Sequence, residues 1–130
     1  MDLSMESNSL KFEQVEEFVE HVLGKYHVSS SLHNKILICV KEAVTNSIVH
    51  GNKFSTQKKV RIKITRCHED LYIKIADDGE GFDFTNIPDP TLKENIMNEA
   101  GRGLFLMKNL SDGIEFKNSG KVVQLKIKLS

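Results

Sequence analysis

"VRIKITRCHEDLYIKIAD", residues 60–77, alternates apolar and polar side chains on both sides of a short polar break. A strand places successive side chains on opposite faces of a sheet, so a period of two gives the strand one apolar face. The break "CHED", residues 67–70, is typical of a turn. This stretch therefore predicts a two-stranded antiparallel ribbon with one buried face.

Two helical patterns precede this ribbon. From Leu10 to Tyr26, apolar residues recur every three or four positions, which is the spacing of one face of a helix. The segment "HVSSS", residues 27–31, interrupts this pattern, and one of its serines can cap a second helix. The apolar residues of that second helix continue to Ile48, and Gly51 is a natural C-terminal stop.

A long irregular segment follows the ribbon. Residues 77–103 hold both prolines of the chain and four of its glycines, and a connection of this length inside a compact domain is usually functional or mobile. A short apolar helix and two strands, around Gly113–Lys117 and Lys121–Leu129, close the chain. This order of elements predicts an α+β fold with the helices on one face of a mostly antiparallel sheet.

Length and charge limit the class of protein. The 130 residues are ample for one domain, and we assign residues 10–130 to it and residues 1–9 to an N-terminal tail or edge strand. Lys+Arg and Asp+Glu are both 18, and this balance argues against a general nucleic-acid binder. The sequence has no apolar run near the length of a membrane span and no signal-peptide layout at its start. Cys39 and Cys67 lack metal-type spacing and predict free thiols, so we expect a cytoplasmic protein.

Three polar residues, Glu42, Asn46 and His50, interrupt the second helical pattern at intervals of four. A helix turns about every 3.6 residues, so these side chains form one polar stripe. The stripe fits a plain solvent face. It also fits phosphoryl transfer, because an amide oxygen suits Mg²⁺ and a carboxylate one turn away can take a proton from an attacking hydroxyl.

The second candidate site lies at the end of the ribbon, where Asp77 is followed by Gly79 and Gly81. Glycines spaced by two let the backbone pass close to a ligand. An ionised Asp only accepts hydrogen bonds and the exocyclic amine of adenine donates them, so Asp77 is suited to bind adenine. Asp78 competes for this role but should point to the opposite face of the strand. An acidic turn is the simpler alternative.

The third candidate site is Gly101-Arg102-Gly103, directly before the apolar helix. The N-terminus of a helix carries free N–H groups and a partial positive charge, and both favour phosphate. Arg102 can contact a terminal phosphate. A flexible joint with an exposed arginine explains the same residues without a ligand.

In this order, the three motifs resemble the GHKL ATPases, the superfamily that includes gyrase and the histidine kinases. Within it the chain is most similar to the stand-alone bacterial anti-sigma factor serine/threonine kinases. Residues 42–52 match the asparagine box, 77–83 the first glycine box, and 101–112 the second; residues 88–95 resemble the Pro-rich lid. The resemblance runs from about residue 10 to the C-terminus.

The resemblance implies a Bergerat or histidine-kinase-like ATPase fold. This is a two-layer α/β sandwich with the helices on one face of a mostly antiparallel mixed sheet. It implies that Glu42 is the catalytic carboxylate and that Asn46 binds Mg²⁺. The residues expected to bind ATP are Asn46, Asp77, Gly79, Gly81, Gly101, Arg102 and Gly103.

The implied function is that of an ATP-dependent serine/threonine-protein kinase and anti-sigma factor of a bacterial partner switch. Its substrate would be a STAS-domain anti-anti-sigma protein, and the resemblance adds a sigma factor and a second copy of the chain as partners. Neither nucleic acid nor membrane is expected as a partner. The rival hypothesis is a nucleotide-gated protein-binding module with little or no kinase activity. Glu42 favours the enzyme, because nucleotide binding alone does not require it.

Overall fold

The computed structural model describes residues 1–6, 12–48, 58–78, 99–118 and 121–130. In these ranges the chain forms five strands and three helices. In chain order they are β1 (Asp2–Glu6), α1 (Phe12–Lys25), α2 (Ser30–Asn46), β2 (Lys59–Cys67), β3 (Asp70–Asp77), α3 (Glu99–Leu110), β4 (Gly113–Lys117) and β5 (Val122–Lys128).

The strands form one sheet in the order β1-β2-β3-β5-β4. All four pairings in the described part of the chain are antiparallel, where a mostly antiparallel mixed sheet was expected. β3 and β4 run in the same direction, but β5 lies between them and pairs antiparallel with both. No parallel pair is therefore formed among these strands. The N-terminal residues form the edge strand β1, one of the two states that the sequence allowed.

One face of the sheet is apolar. Registers such as Ile62 opposite Ile75 and Ile73 opposite Leu125 align the inward residues of neighbouring strands into one layer. The buried strand residues are Val60, Ile62, Ile64, Leu71, Ile73, Ile75, Val123, Leu125 and Ile127. The buried apolar residues of all three helices join these in one core cluster. The core therefore lies between the helices and one face of the sheet, as the α+β prediction required.

The first two helices are joined by a tight turn. His27 adopts a left-handed backbone conformation with φ 54°, and the Val28 N–H donates to the Leu23 carbonyl at 2.9 Å. Ser29 occupies the N-cap position of α2, but its side chain does not cap the helix. Its Oγ lies 3.0 Å from Oγ of Ser31 instead. The expected serine cap is therefore present in position but not in hydrogen bonding.

Helix α2 carries the polar stripe toward its C-terminal end. Ser47 keeps helical dihedral angles (φ −64°, ψ −41°), and its N–H points at the carbonyls of Ala43 and Val44. The helical turn thus continues past Asn46. The expected stop at Gly51 lies outside the described residues. No helix in the described part of the chain is long and apolar enough to span a membrane.

Helix α3 begins earlier than the sequence predicts. It begins at Glu99, so Gly101, Arg102 and Gly103 lie in its first turns and not before it. Alanine and glutamate are among the better helix formers, and Glu99 and Ala100 therefore favour an earlier start. The prediction that this glycine pair precedes the helix was wrong.

The two thiols should differ sharply in reactivity. Cys39 is fully buried in α2, and burial raises the pKa of its thiol to about 11, while Cys67 is exposed at the end of β2. Since the thiolate is the nucleophile, we expect Cys39 to react at least ~100-fold more slowly than an ordinary thiol at pH 8. Alkylation followed by mass spectrometry should therefore label Cys67 first. Fast labelling of the Cys67→Ser variant without denaturant would contradict the packing of α2.

Candidate functional site

The site begins with the two polar residues of α2. Between these two polar residues lie Ala43 and Val44, which are buried in the core and so fix the rotation of the helix. Asn46 is also buried, with 7% of its surface exposed, and Glu42 one turn earlier is half-buried. A solvent face would leave both exposed, so this position argues against the simple surface reading of the stripe. His50 lies outside the described residues.

Helix α3 approaches the stripe at Gly103. A Cβ added to Gly103 would lie 2.8 Å from Oε2 of Glu42 and 3.5 Å from both Oδ1 and Nδ2 of Asn46. The backbone of α3 therefore lies directly against a carboxylate and an amide of α2. Three residues that the sequence assigns to two separate motifs come together at this crossing of two helices.

Asp77 lies at the end of β3 on the face that the helices cover. It continues the inward row of Ile73 and Ile75, and only 5% of its surface is exposed. Its N–H donates to the Lys121 carbonyl at 2.9 Å, which fixes the backbone at this end of the strand. An ionised Asp only accepts hydrogen bonds, so a ligand that binds to the Asp77 carboxylate has to donate one.

Asp78 points the other way and is tied to β2. Its Oδ1 accepts a hydrogen bond from Nη2 of Arg61 at 2.8 Å, and its Oδ2 accepts one from the Lys59 N–H at 3.0 Å. The hydrogen bond from the Arg61 guanidinium, followed by that from Lys59, lowers the pKa of the Asp78 carboxyl. The two adjacent carboxylates thus face opposite sides of the sheet. Asp78 is bound to Arg61 and Lys59 on the outer face of the sheet. Asp77 is therefore the better candidate for a residue that binds a ligand.

Helix α2 connects the parts of the site. It contacts α3 along the crossing at Gly103, and it also contacts β3, the strand that ends at Asp77. Among the described residues there is no cluster of three or more His, Cys, Asp or Glu side chains that could hold a metal ion. Mg²⁺ is often held by few protein groups together with phosphates and water, and the amide oxygen of Asn46 is suited to such a site.

Some expected site residues cannot be placed in this arrangement. Gly79, Gly81 and the lid segment 88–95 lie outside the described residues. The structure describes the backbone of Gly101 and Arg102 within α3 but not the side chain of Arg102. The assigned roles of these residues stay predictions.

Comparison with known proteins identifies the family. A family model described as "Histidine kinase-like ATPase domain" matches residues 6–127. The chain belongs to the histidine kinase-like ATPase domain family. This ATPase domain is 31% identical over 91 residues to the serine-protein kinase RsbW of Bacillus subtilis, a match that covers 65% of the chain and 57% of that relative. It is 30% identical over 96 residues to an anti-sigma F factor of Clostridium botulinum, covering 70% of the chain and 67% of that relative.

A solved structure shares the fold of this ATPase domain. The crystal structure of the RsbU and RsbW domains of Rv1364c from Mycobacterium tuberculosis superposes with a TM-score of 0.60 at 12% identity. The match covers 98% of this chain and 31% of that chain. The predicted α+β fold of the histidine-kinase-like ATPase type is therefore confirmed. The match to Bacillus RsbW spans little more than half the length of that protein.

Two contacts, one within the site and one on the outer face of the sheet, were not predicted from the sequence. The approach of Gly103 to Glu42 depends on how closely two helices pack, and no local pattern reports that distance. For the pairing of Arg61 with Asp78, the sequence indicated the face but not the partner. The alternation along β2, and along β3 continued by one residue, places both side chains on the outer face of the sheet. The partner itself depends on the register between the strands.

Proposed function

We propose that this protein is an ATP-dependent serine/threonine-protein kinase and anti-sigma factor that phosphorylates a STAS-domain anti-anti-sigma protein. The observation that carries the proposal is the half-buried carboxylate of Glu42, which lies one turn from Asn46 and against the backbone of α3 at Gly103. Nucleotide binding alone does not require a carboxylate in this position. It is suited to removing a proton near the transferred phosphate.

ATP binding in this proposal uses both ends of the site. Asp77 accepts a hydrogen bond from the exocyclic amine of adenine, and Gly79 and Gly81 leave room for the ring. Gly101 and Arg102, in the first turns of α3, lie at the phosphates, where unpaired N–H groups favour anions. The amide oxygen of Asn46 would hold Mg²⁺, and the ion would neutralise part of the phosphate charge.

The transfer step is a displacement at the γ-phosphorus of ATP. The Glu42 carboxylate accepts the proton of a serine or threonine hydroxyl on the partner protein, and the oxygen of that hydroxyl forms a bond to the γ-phosphorus. The bond from the γ-phosphorus to the bridging oxygen breaks, and ADP leaves with the electron pair. The products are ADP, a phosphorylated partner and a proton held by Glu42.

The relatives support a role in a partner switch. One is named a serine-protein kinase and another an anti-sigma F factor. In the proposed cycle, the unmodified STAS protein binds and is phosphorylated, and its release leaves this protein to sequester a sigma factor in the cytoplasm. Residues 10–130 form the single ATP-binding kinase domain of this cycle, and a second copy of the chain is a further expected partner.

The test is transfer of label from γ-labelled ATP to purified STAS proteins of the same genome. We expect one of them to gain label on a single serine or threonine, identified by mass spectrometry. A protein that binds ATP and changes its affinity for a STAS partner, but labels none of them, would be a nucleotide-gated binding module. That outcome would overturn the kinase proposal.

Asn46 provides a separate prediction about the metal. We expect Asn46→Ala to weaken ATP binding in the presence of Mg²⁺ by ~10-fold or more, because a metal ligand is lost. Binding of ADP without metal should change little. Titration calorimetry with Mg²⁺ and with EDTA measures both quantities.

Thr45→Ala is the matched control for this metal prediction, because the neighbouring Thr45 hydroxyl donates to the Lys41 carbonyl of its own helix at 2.8 Å. An equal loss in both metal conditions for Asn46→Ala would show that Asn46 does not bind Mg²⁺.

A further inference from the structure

Gly103 occupies a position with no space for a side chain. It is buried in α3, and an added Cβ would come within 2.8 Å of Oε2 of Glu42, closer than real Cβ atoms approach a neighbour. The amide of Asn46 lies 3.5 Å from the same point, which is ordinary contact. The one severe conflict is therefore with the carboxylate.

Backbone conformation does not explain this glycine. Gly103 lies inside a helix and does not have the positive φ that side chains rarely adopt. Glycine is less favourable than alanine inside a helix, so a glycine here needs a reason in packing. Gly24 in α1 offers the contrast, since an added Cβ there meets nothing within 4 Å.

The two helix backbones cannot easily separate to admit a methyl group. Leu104 and Met107 anchor α3 in the core, and Ala43 and Val44 anchor α2. The carboxylate of Glu42 is the far end of a flexible side chain and is the part that can move. A methyl group at position 103 should therefore displace the carboxylate by several tenths of an ångström and leave the fold intact.

We infer that Gly103 is a positioning residue for the Glu42 carboxylate, distinct from the phosphate contact that its motif suggests. Its missing side chain sets where the carboxylate lies beside the backbone of α3. The position of α3 and the position of the base are therefore linked. This inference rests on the proposed function, in which Glu42 removes the proton.

The first test is Gly103→Ala. A misplacement near 1 Å can cost ~100-fold in rate, so we expect single-turnover phosphate transfer to slow by ~10- to 100-fold. ATP affinity should stay within ~3-fold of the parent value, because ground-state binding does not depend on the base. Gly24→Ala, the same change at an open helical position, should transfer at the parent rate. Parent-rate transfer by Gly103→Ala, or a loss of ATP affinity parallel to the loss of rate, would overturn the inference.

A double-mutant cycle separates positioning from phosphate contact. If Gly103 acts through Glu42, Gly103→Ala should cause no more than ~2-fold further loss in the Glu42→Gln background. Losses that multiply would assign Gly103 to the phosphates and overturn the inference. A parent protein that transfers no phosphate would overturn the proposed function as well, whereas an active parent with an unaffected Gly103→Ala variant would overturn the inference alone.

If Gly103→Ala does not fold, a variant with a shorter carboxylate side chain at position 42 tests the same inference. Glu42→Asp withdraws the carboxylate by one methylene, so the pair Glu42→Asp/Gly103→Ala should fold if the clash causes the defect. The inference predicts that the pair transfers phosphate at close to the rate of Glu42→Asp alone, because the methyl group no longer meets the carboxylate. A pair that does not fold, or that transfers much more slowly than Glu42→Asp alone, would contradict the inference.

Discussion

Replacing Glu42 with glutamine is expected to slow phosphate transfer by at least ~100-fold while ATP affinity stays close to that of the parent. A general base acts in the transition state and need not contribute to binding of the nucleotide. Glutamine keeps the size of the side chain, so the close contact with Gly103 is preserved. The half-buried position already accommodates a polar group, and we expect little loss of stability.

The measurement is single-turnover transfer, with bound ATP quantified in the same samples. Glu17→Gln, the same chemical change at an exposed position of α1, is the control and should transfer at the parent rate. Equal rates for the parent and for Glu42→Gln would show that Glu42 is not the base. An equal loss of ATP affinity and of rate would assign Glu42 to binding.

Replacing Asp77 with asparagine is expected to weaken ATP binding by ~10- to 100-fold, the cost of leaving a buried polar group unsatisfied. The asparagine side chain has nearly the same size, but it carries an amide that can donate where adenine also donates. Asp77 is buried on the helix-covered face, so water cannot easily replace the lost hydrogen bond. The loss should be larger for ATP than for a nucleotide whose base lacks the exocyclic amine.

Asp78→Asn is the control for this prediction. Asp78 lies on the outer face and pairs with Arg61 and with the backbone of Lys59. An exposed ion pair contributes at most about 1 kcal/mol to stability, and its loss should leave ATP affinity nearly unchanged. Titration calorimetry on both variants decides between the two carboxylates. Equal losses, or a larger loss for Asp78→Asn, would show that the predicted facing of Asp77 is wrong.

The arrangement of strands and helices could be predicted because it depends on local periods. The alternation in residues 60–75 reports one buried face directly, and the structure buries Val60, Ile62 and Ile64 together with Leu71, Ile73 and Ile75. The start of α3 was missed, since two glycines close together look like a break, whereas the helix extends through them. Glu99 and Ala100 favour the earlier start, and the packing of α3 against α2 offsets the low helix propensity of the two glycines.

The site was predictable in its residue types but not in its contacts. Intervals of four placed Glu42 and Asn46 on one face of a helix, and alternation separated Asp77 from Asp78. The contact between Glu42 and Gly103 joins residues far apart in the chain and depends on the distance between two packed helices. That distance follows from the volumes of the buried side chains around the crossing, which a linear pattern does not report.

The most direct test of the central claim is one mixing experiment with the parent protein. The protein is loaded with one equivalent of ATP and Mg²⁺ and mixed with the STAS protein that it binds, and ATP consumed and phosphoprotein formed are both counted over time. The account predicts that each bound ATP yields one ADP and one phosphorylated serine or threonine on the partner. If the partner binds while the ATP remains intact, the site is a nucleotide gate and the proposed kinase mechanism is wrong.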